Sequence, residues 1–161
     1  MGGIVAFEYL KMHEANNCSS IVMSSAPTSI QGSHDSRVAL CKGIKEEGFE
    51  AEEIALEFQK RHMCRVYPMP LPLLKSLESL KNQKMDPNVL HDYVASEEEA
   101  KLSTPALILR GQYDFVTSSW TSFFEDSQTI VLSGCSHYGM VENEELYGTV
   151  LTTFLRDHDN L

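Results

Sequence analysis

Apolar residues are spaced in two different ways along the chain, and the change of spacing divides it into three parts. In residues 1–30, Gly2-Gly3 opens an apolar-rich stretch through Leu10 that reads as a helix. Asn16-Asn17 breaks it, and Ile21-Val22-Met23 follows as a short unbroken apolar run. An unbroken run suits a strand buried on both faces of a parallel sheet, whereas a half-exposed strand alternates. Small residues Ser24, Ser25 and Ala26 then lead to Pro27.

Residues 101–161 repeat this texture. Pro105 precedes Ala106-Leu107-Ile108-Leu109, a second unbroken run ending at Gly111. A helix is predicted from about Ser118 to Glu125, then a third strand at Thr129-Ile130-Val131-Leu132. Tyr147, Val150, Leu151, Phe154 and Leu155 place an apolar stripe along a last helix. Strands alternating with helices imply βα units, so the expected fold class is α/β with three parallel strands and flanking helices.

The middle is different. Residues 31–100 are acidic and interrupted by Pro68, Pro70, Pro72 and Pro87. Ile54, Ala55 and Phe58 share one face of a predicted helix, and Leu73, Leu74, Leu77 and Leu80 form a second helical stripe. Glu46, Glu47, Glu50, Glu52, Glu53 and Glu57 read as a solvated face. The expected organisation is therefore an α/β core from 1–30 and 101–161, with 31–100 as a helical insertion, the place of a cap in the resemblance given below.

Composition narrows the function classes. Of 161 residues, 42% are apolar and 22% charged, an ordinary globular balance with enough chain for a buried core. With 13 Lys+Arg against 23 Asp+Glu the formal charge is −10. That argues against nucleic-acid binding and against docking on anionic lipid, both of which need clustered cations. Cys18, Cys41, Cys64 and Cys135 lack metal-ligand spacing. No secretory leader or membrane-length apolar run is visible, so reduced thiols in a cytoplasmic protein are expected.

In open α/β sheets reactive groups gather beyond the carboxyl ends of the strands. Gly111-Gln112-Tyr113-Asp114-Phe115 follows one predicted strand, and Gly134-Cys135-Ser136-His137-Tyr138-Gly139 follows the next. Alone, Asp114 reads as a turn residue and His137 as a loop histidine. Together, at consecutive strand ends, they fit an acid–base pair in which the carboxylate fixes the imidazole tautomer. A nucleophile is harder to find. The elbow pattern Gly-x-Ser-x-Gly does not occur, and Ser136, two positions before Tyr138 rather than a glycine, reads as a turn serine. Met1-Gly2-Gly3 before a helix looks like the second half of an elbow, with Gly2 as the closing glycine and the serine immediately before Met1.

On these residues the chain resembles the α/β-hydrolase superfamily, and within it the proline iminopeptidase and amino-acid amidase branch. Met1 to Tyr9 is similar to the helix after the nucleophile. Arg61-His62-Met63-Cys64-Arg65 with Pro68-Met69-Pro70 resembles that branch's cap signature. Pro105 to Thr117 resembles the acid strand and loop, and Ser136-His137 through Glu142 and Tyr147 the histidine loop and final helix. The resemblance implies Asp114 as acid, His137 as base, and Met1 where a backbone N–H would help form the oxyanion hole. It implies a small peptide, amide or ester substrate, and no metal or organic cofactor.

Two positions depart from the branch. Phe115 stands where the aminopeptidases often carry Glu beside the acid, and Val94 to Ser103 lacks the branch's Gly-Pro-Asn-Glu-Phe stretch. Phe115 is thus a candidate substrate contact of a different kind, and Glu97, Glu98 and Glu99 read as a solvated linker. The resemblance further implies that a whole member carries several βα units before Met1, roughly a hundred residues or more at about 30 per unit. The chain alone is then expected to be inactive, with the Ile21–Met23 strand left as an open edge. Three readings stay open: a proline iminopeptidase-like serine hydrolase, a capped hydrolase of non-peptide esters or amides, and a non-catalytic domain pairing through that edge.

Overall fold

The structure, a computed structural model, describes residues 2–13, 18–82, 90–96 and 101–158. Met1, Asn16-Asn17, Pro87 and Glu97 to Glu99 lie outside the described residues. Helix α1 (Gly2–His13) leads to strand β1 (Ile21–Ser24), followed by α2 (Ile30–Glu46) and α3 (Ala51–Phe58). A wide π-type turn over Gln59–Met63 continues α3, and α4 spans Leu71–Asn82. Strand β2 (Ala106–Gly111), a single 3₁₀ turn (Thr121–Phe123), β3 (Ser127–Leu132), α5 (Gly139–Glu142) and α6 (Glu144–His158) complete the order.

The three strands form one parallel sheet in the order β1-β2-β3, with Ile21 opposite Ala106 and Ala106 opposite Ser127. Central β2 is buried on both faces, which is why its sequence is an unbroken apolar run. Side chains of a strand alternate between faces. Ala106 and Ile108 accordingly join Ile4, Phe7 and Leu10 of α1 in one core, while Leu107 and Leu109 pack with Phe154 of α6 in another. Helix α1 thus covers one face of β2 and α6 the other.

Between β2 and β3 the predicted helix is absent: only one 3₁₀ turn forms, over Thr121–Phe123. Two causes act together. Phe123 and Phe124 are both buried, and the chain turns extended at Phe124 so that both rings reach the same partner. Phe124 is extended (φ −124°, ψ 144°), and both rings lie against Phe7, at centroid distances of 5.4 and 6.2 Å. The hydroxyls in this stretch also compete with helix formation: Ser119 Oγ and Thr121 Oγ1 are 2.6 Å apart, and Thr28 N–H donates to Ser118 Oγ at 3.0 Å.

The segment between β1 and β2 is helical as expected, but its leucine stripe is not a core. Leu73 is buried, while Leu74 and Leu80 are exposed. The segment leaves and rejoins the sheet layer at one place. Ser29 bridges Val94, Ile30 N–H donates to Tyr93 O at 3.2 Å, and Ala95 N–H donates to Thr28 O at 2.8 Å.

Phe7 is the point where α1, the 3₁₀ turn and Trp120 meet, with the Trp120 ring 4.7 Å away. Phe7→Ala should lower unfolding stability by about 3–5 kcal/mol. Urea denaturation followed by Trp120 fluorescence checks this, and a loss under about 1 kcal/mol would place the core elsewhere.

Candidate active site

The two strand-end loops are joined largely through their main chains. Gln112 N–H donates to Leu132 O at 3.0 Å and Tyr113 N–H to Cys135 O at 2.9 Å. Gln112 Oε1 accepts from Gly134 N–H at 3.0 Å, where Gly134 turns through a positive φ of 75°. Gly111 is the close approach: a Cβ there would stand 2.1 Å from Ser136 O and 2.6 Å from Cys135 O. Only glycine lets the histidine loop lie directly on the end of β2.

That registration brings Asp114 and His137 together. His137 Nδ1 lies 2.9 Å from Asp114 Oδ1, and the Asp114 side chain is wholly buried while His137 keeps 21% of its side chain exposed. A carboxylate oxygen can only accept, so Nδ1 carries the proton and a neutral ring has its lone pair on Nε2. Val116 N–H also donates to Oδ1 at 2.9 Å, whereas Oδ2 is buried with no donor among the described residues. Asp114 is thereby held by its own turn and points at one imidazole. The arrangement can take a proton at Nε2 and stabilise the cation that results.

Phe115 forms a wall of the site. Its ring lies 4.5 Å from the His137 ring and 5.7 Å from Phe58 at the end of α3, so the helical segment reaches the imidazole through one intervening ring. Gly2, the proposed elbow glycine, opens α1, and a Cβ on it would meet nothing within 4 Å among the described residues. The tight packing of helix on strand falls one residue later, at Gly3, where a Cβ would come within 2.5 Å of the Ala26 Cβ. Met1 lies outside the described residues. Among the described residues no three His, Cys, Asp or Glu side chains gather in a way that could hold a metal ion, and no helix is long and apolar enough to cross a membrane.

Several contributors were not visible in the sequence. Ser136, which reads as a turn serine, is fully buried, and its Oγ donates to Glu142 Oε1 at 2.6 Å. The turn after α3 holds the histidine loop by its main chain: His137 N–H donates to His62 O at 3.3 Å and Tyr138 N–H to Met63 O at 3.0 Å. His62 Nδ1 in turn lies 2.8 Å from Tyr113 O. The similarity of Arg61 to Arg65 to a cap signature marked this segment, but carbonyl acceptors leave no mark on residue type.

With this geometry in view, the chain can be set beside known proteins. No family model matches it. It is 29% identical over 121 residues to the proline iminopeptidase of Thermoplasma volcanium, covering 66% of this chain and 41% of that one. It is 25% identical over 113 residues to the proline iminopeptidase of Saccharolobus solfataricus, covering 61% and 36%. The chain thus spans less than half the length of the curated relatives it matches. Among solved structures, the Mycobacterium smegmatis proline iminopeptidase superposes with a TM-score of 0.76 at 22% identity, covering 98% of this chain and 62% of that one. A thermophilic esterase gives 0.66 at 19% identity, covering 96% and 62%. Both share the α/β-hydrolase fold with these residues.

Thiols near the site should be chemically quiet. Burial pushes the Cys64 and Cys135 thiols above their ordinary value of 9.0, and the nearby Glu142 carboxylate pushes the same way. At pH 8 iodoacetamide should label half-buried Cys41 at least about tenfold faster than either, a difference that disappears in denaturant. Thiols held protonated in the fold stabilise it fully below the unfolded value, and that contribution is lost as pH rises through the folded one. The melting temperature should therefore fall above pH 9. A flat profile from pH 8 to 10, or equal labelling rates, would contradict the burial.

Proposed function

Taking as premise that the chain belongs to the α/β-hydrolase superfamily, with proline iminopeptidases as its sequence relatives, we propose that Asp114 and His137 are the acid and base of a serine hydrolase. The observation that carries this reading is the 2.9 Å contact between a wholly buried carboxylate and a partly exposed imidazole. The two sit on consecutive tips of a parallel sheet.

In the proposed mechanism a serine hydroxyl attacks the substrate carbonyl while His137 Nε2 takes its proton. The imidazolium, stabilised by Asp114, returns that proton to the leaving amine or alcohol as the acyl-enzyme forms. His137 then activates water, which attacks the ester; the acid leaves and the serine proton is restored. The serine is assigned to the position immediately preceding Met1 in the whole protein, with Gly2 closing the elbow. Residues 31–100 act as the cap that covers the site and selects the substrate.

Prolyl amides or anilides are the favoured substrates. A non-peptide ester or amide is the second reading, and Phe115 supports it. An apolar ring 4.5 Å from His137 occupies the place where the aminopeptidases often have a carboxylate for the substrate's amine.

Two preparations test the proposal. The 161-residue chain alone should release no p-nitroaniline from prolyl-p-nitroanilide and no p-nitrophenol from its acetate ester above buffer. In subtilisin, loss of the nucleophile alone lowers turnover about 10⁶-fold. A polypeptide that also carries the residues encoded upstream of Met1 should hydrolyse one of the two, and Asp114→Asn should lower its kcat by about 10³–10⁴-fold. Turnover by the 161-residue chain, or full activity in Asp114→Asn, would refute the assignment.

A further inference from the structure

The carboxylate of Glu142 accepts hydrogen bonds from three donors on two separate segments. Oε1 accepts from Ser136 Oγ at 2.6 Å and from Arg65 N–H, and Oε2 accepts from Ser136 N–H. Ser136 immediately precedes His137 and is fully buried, and Arg65 follows the turn whose carbonyls hold the main chain of His137 and Tyr138. Glu142 ends the one-turn helix α5, so it reaches back across the loop it closes.

We propose that Glu142 is a positioning residue: its carboxylate ties the histidine loop to the turn at His62–Arg65 and so keeps His137 Nδ1 on Asp114. An ionised carboxylate offers only acceptor sites, and here it faces a hydroxyl and two backbone N–H groups. An amide in its place would turn an NH₂ toward at least one of those donors, so a nearly isosteric change breaks the clamp. Bonds to a charged acceptor are also about twice as strong as neutral ones. Because Arg65 belongs to the helical segment, a displacement of that segment is passed to the base through Glu142. This inference rests on the acid–base reading of Asp114 and His137.

The test uses the 161-residue chain and needs no turnover. A proton shared between Asp114 and His137 Nδ1 gives a low-field ¹H NMR resonance that disappears in His137→Gln. Its exchange with solvent reports how often the pair opens. In Glu142→Gln that exchange should quicken about tenfold or more, or the resonance should broaden away, as expected when a charge-assisted bond is lost. Ser136→Ala removes only the Oγ donor and should give a smaller change in the same direction, which keeps the test usable if Glu142→Gln folds poorly. Glu8→Gln makes the same carboxylate-to-amide change at a remote residue, the acceptor of Tyr93 Oη (2.7 Å), and should leave the exchange rate unchanged. Unaltered exchange in both Glu142→Gln and Ser136→Ala would overturn the positioning role while leaving the acid–base pair standing. Absence of the resonance from the unsubstituted chain would overturn both.

Discussion

The site depends on one contact between main chains: the histidine loop lies directly on the last residue of β2, with Ser136 O and Cys135 O against the α-carbon of Gly111. A side chain at that position would push the loops apart, and a misplacement of about 1 Å is enough to spoil catalytic geometry. Everything else at the site follows from that closeness. It sets Tyr113 N–H on Cys135 O, places Asp114 in its turn, and brings the carboxylate within hydrogen-bond distance of the imidazole.

The surrounding layers serve this geometry in different ways. Helices α1 and α6 cover the two faces of central β2, which carries the Asp114 loop at its carboxyl end. The helical segment between β1 and β2 contributes carbonyls from His62 and Met63 and an aromatic edge from Phe58. Asp114 receives its hydrogen bonds from Val116 and His137 in a buried setting, where a carboxylate is effective because water does not compete for it. Of the pair only the imidazole, with 21% of its side chain exposed, is open to a molecule from outside.

Much of this was legible from residue order. Unbroken apolar runs announced the parallel strands; β2 is buried on both faces as that reading requires, whereas in β1 only Met23 is fully buried. Asp114 and His137 could be paired because strand ends in such sheets are where chemistry collects. The helix expected before β3 was misjudged because apolar spacing cannot foresee that Phe123 and Phe124 both turn inward around Phe7. The leucine stripe of α4 marks a helix correctly, but periodicity does not show what covers the stripe, and Leu74 and Leu80 are exposed. The clamp around Glu142 was hidden for another reason: two of its three donors are backbone N–H groups, which every residue but proline possesses.

The central claim is that Asp114 fixes His137 in the tautomer that leaves Nε2 free to take a proton. Nitrogen-15 NMR of the neutral ring in the labelled chain measures this directly. The structure predicts a protonated Nδ1 and a lone-pair-bearing Nε2 as two separate, unaveraged signals, collapsing toward an average in Asp114→Asn. A proton resident on Nε2, or averaged signals in the unsubstituted chain, would contradict it.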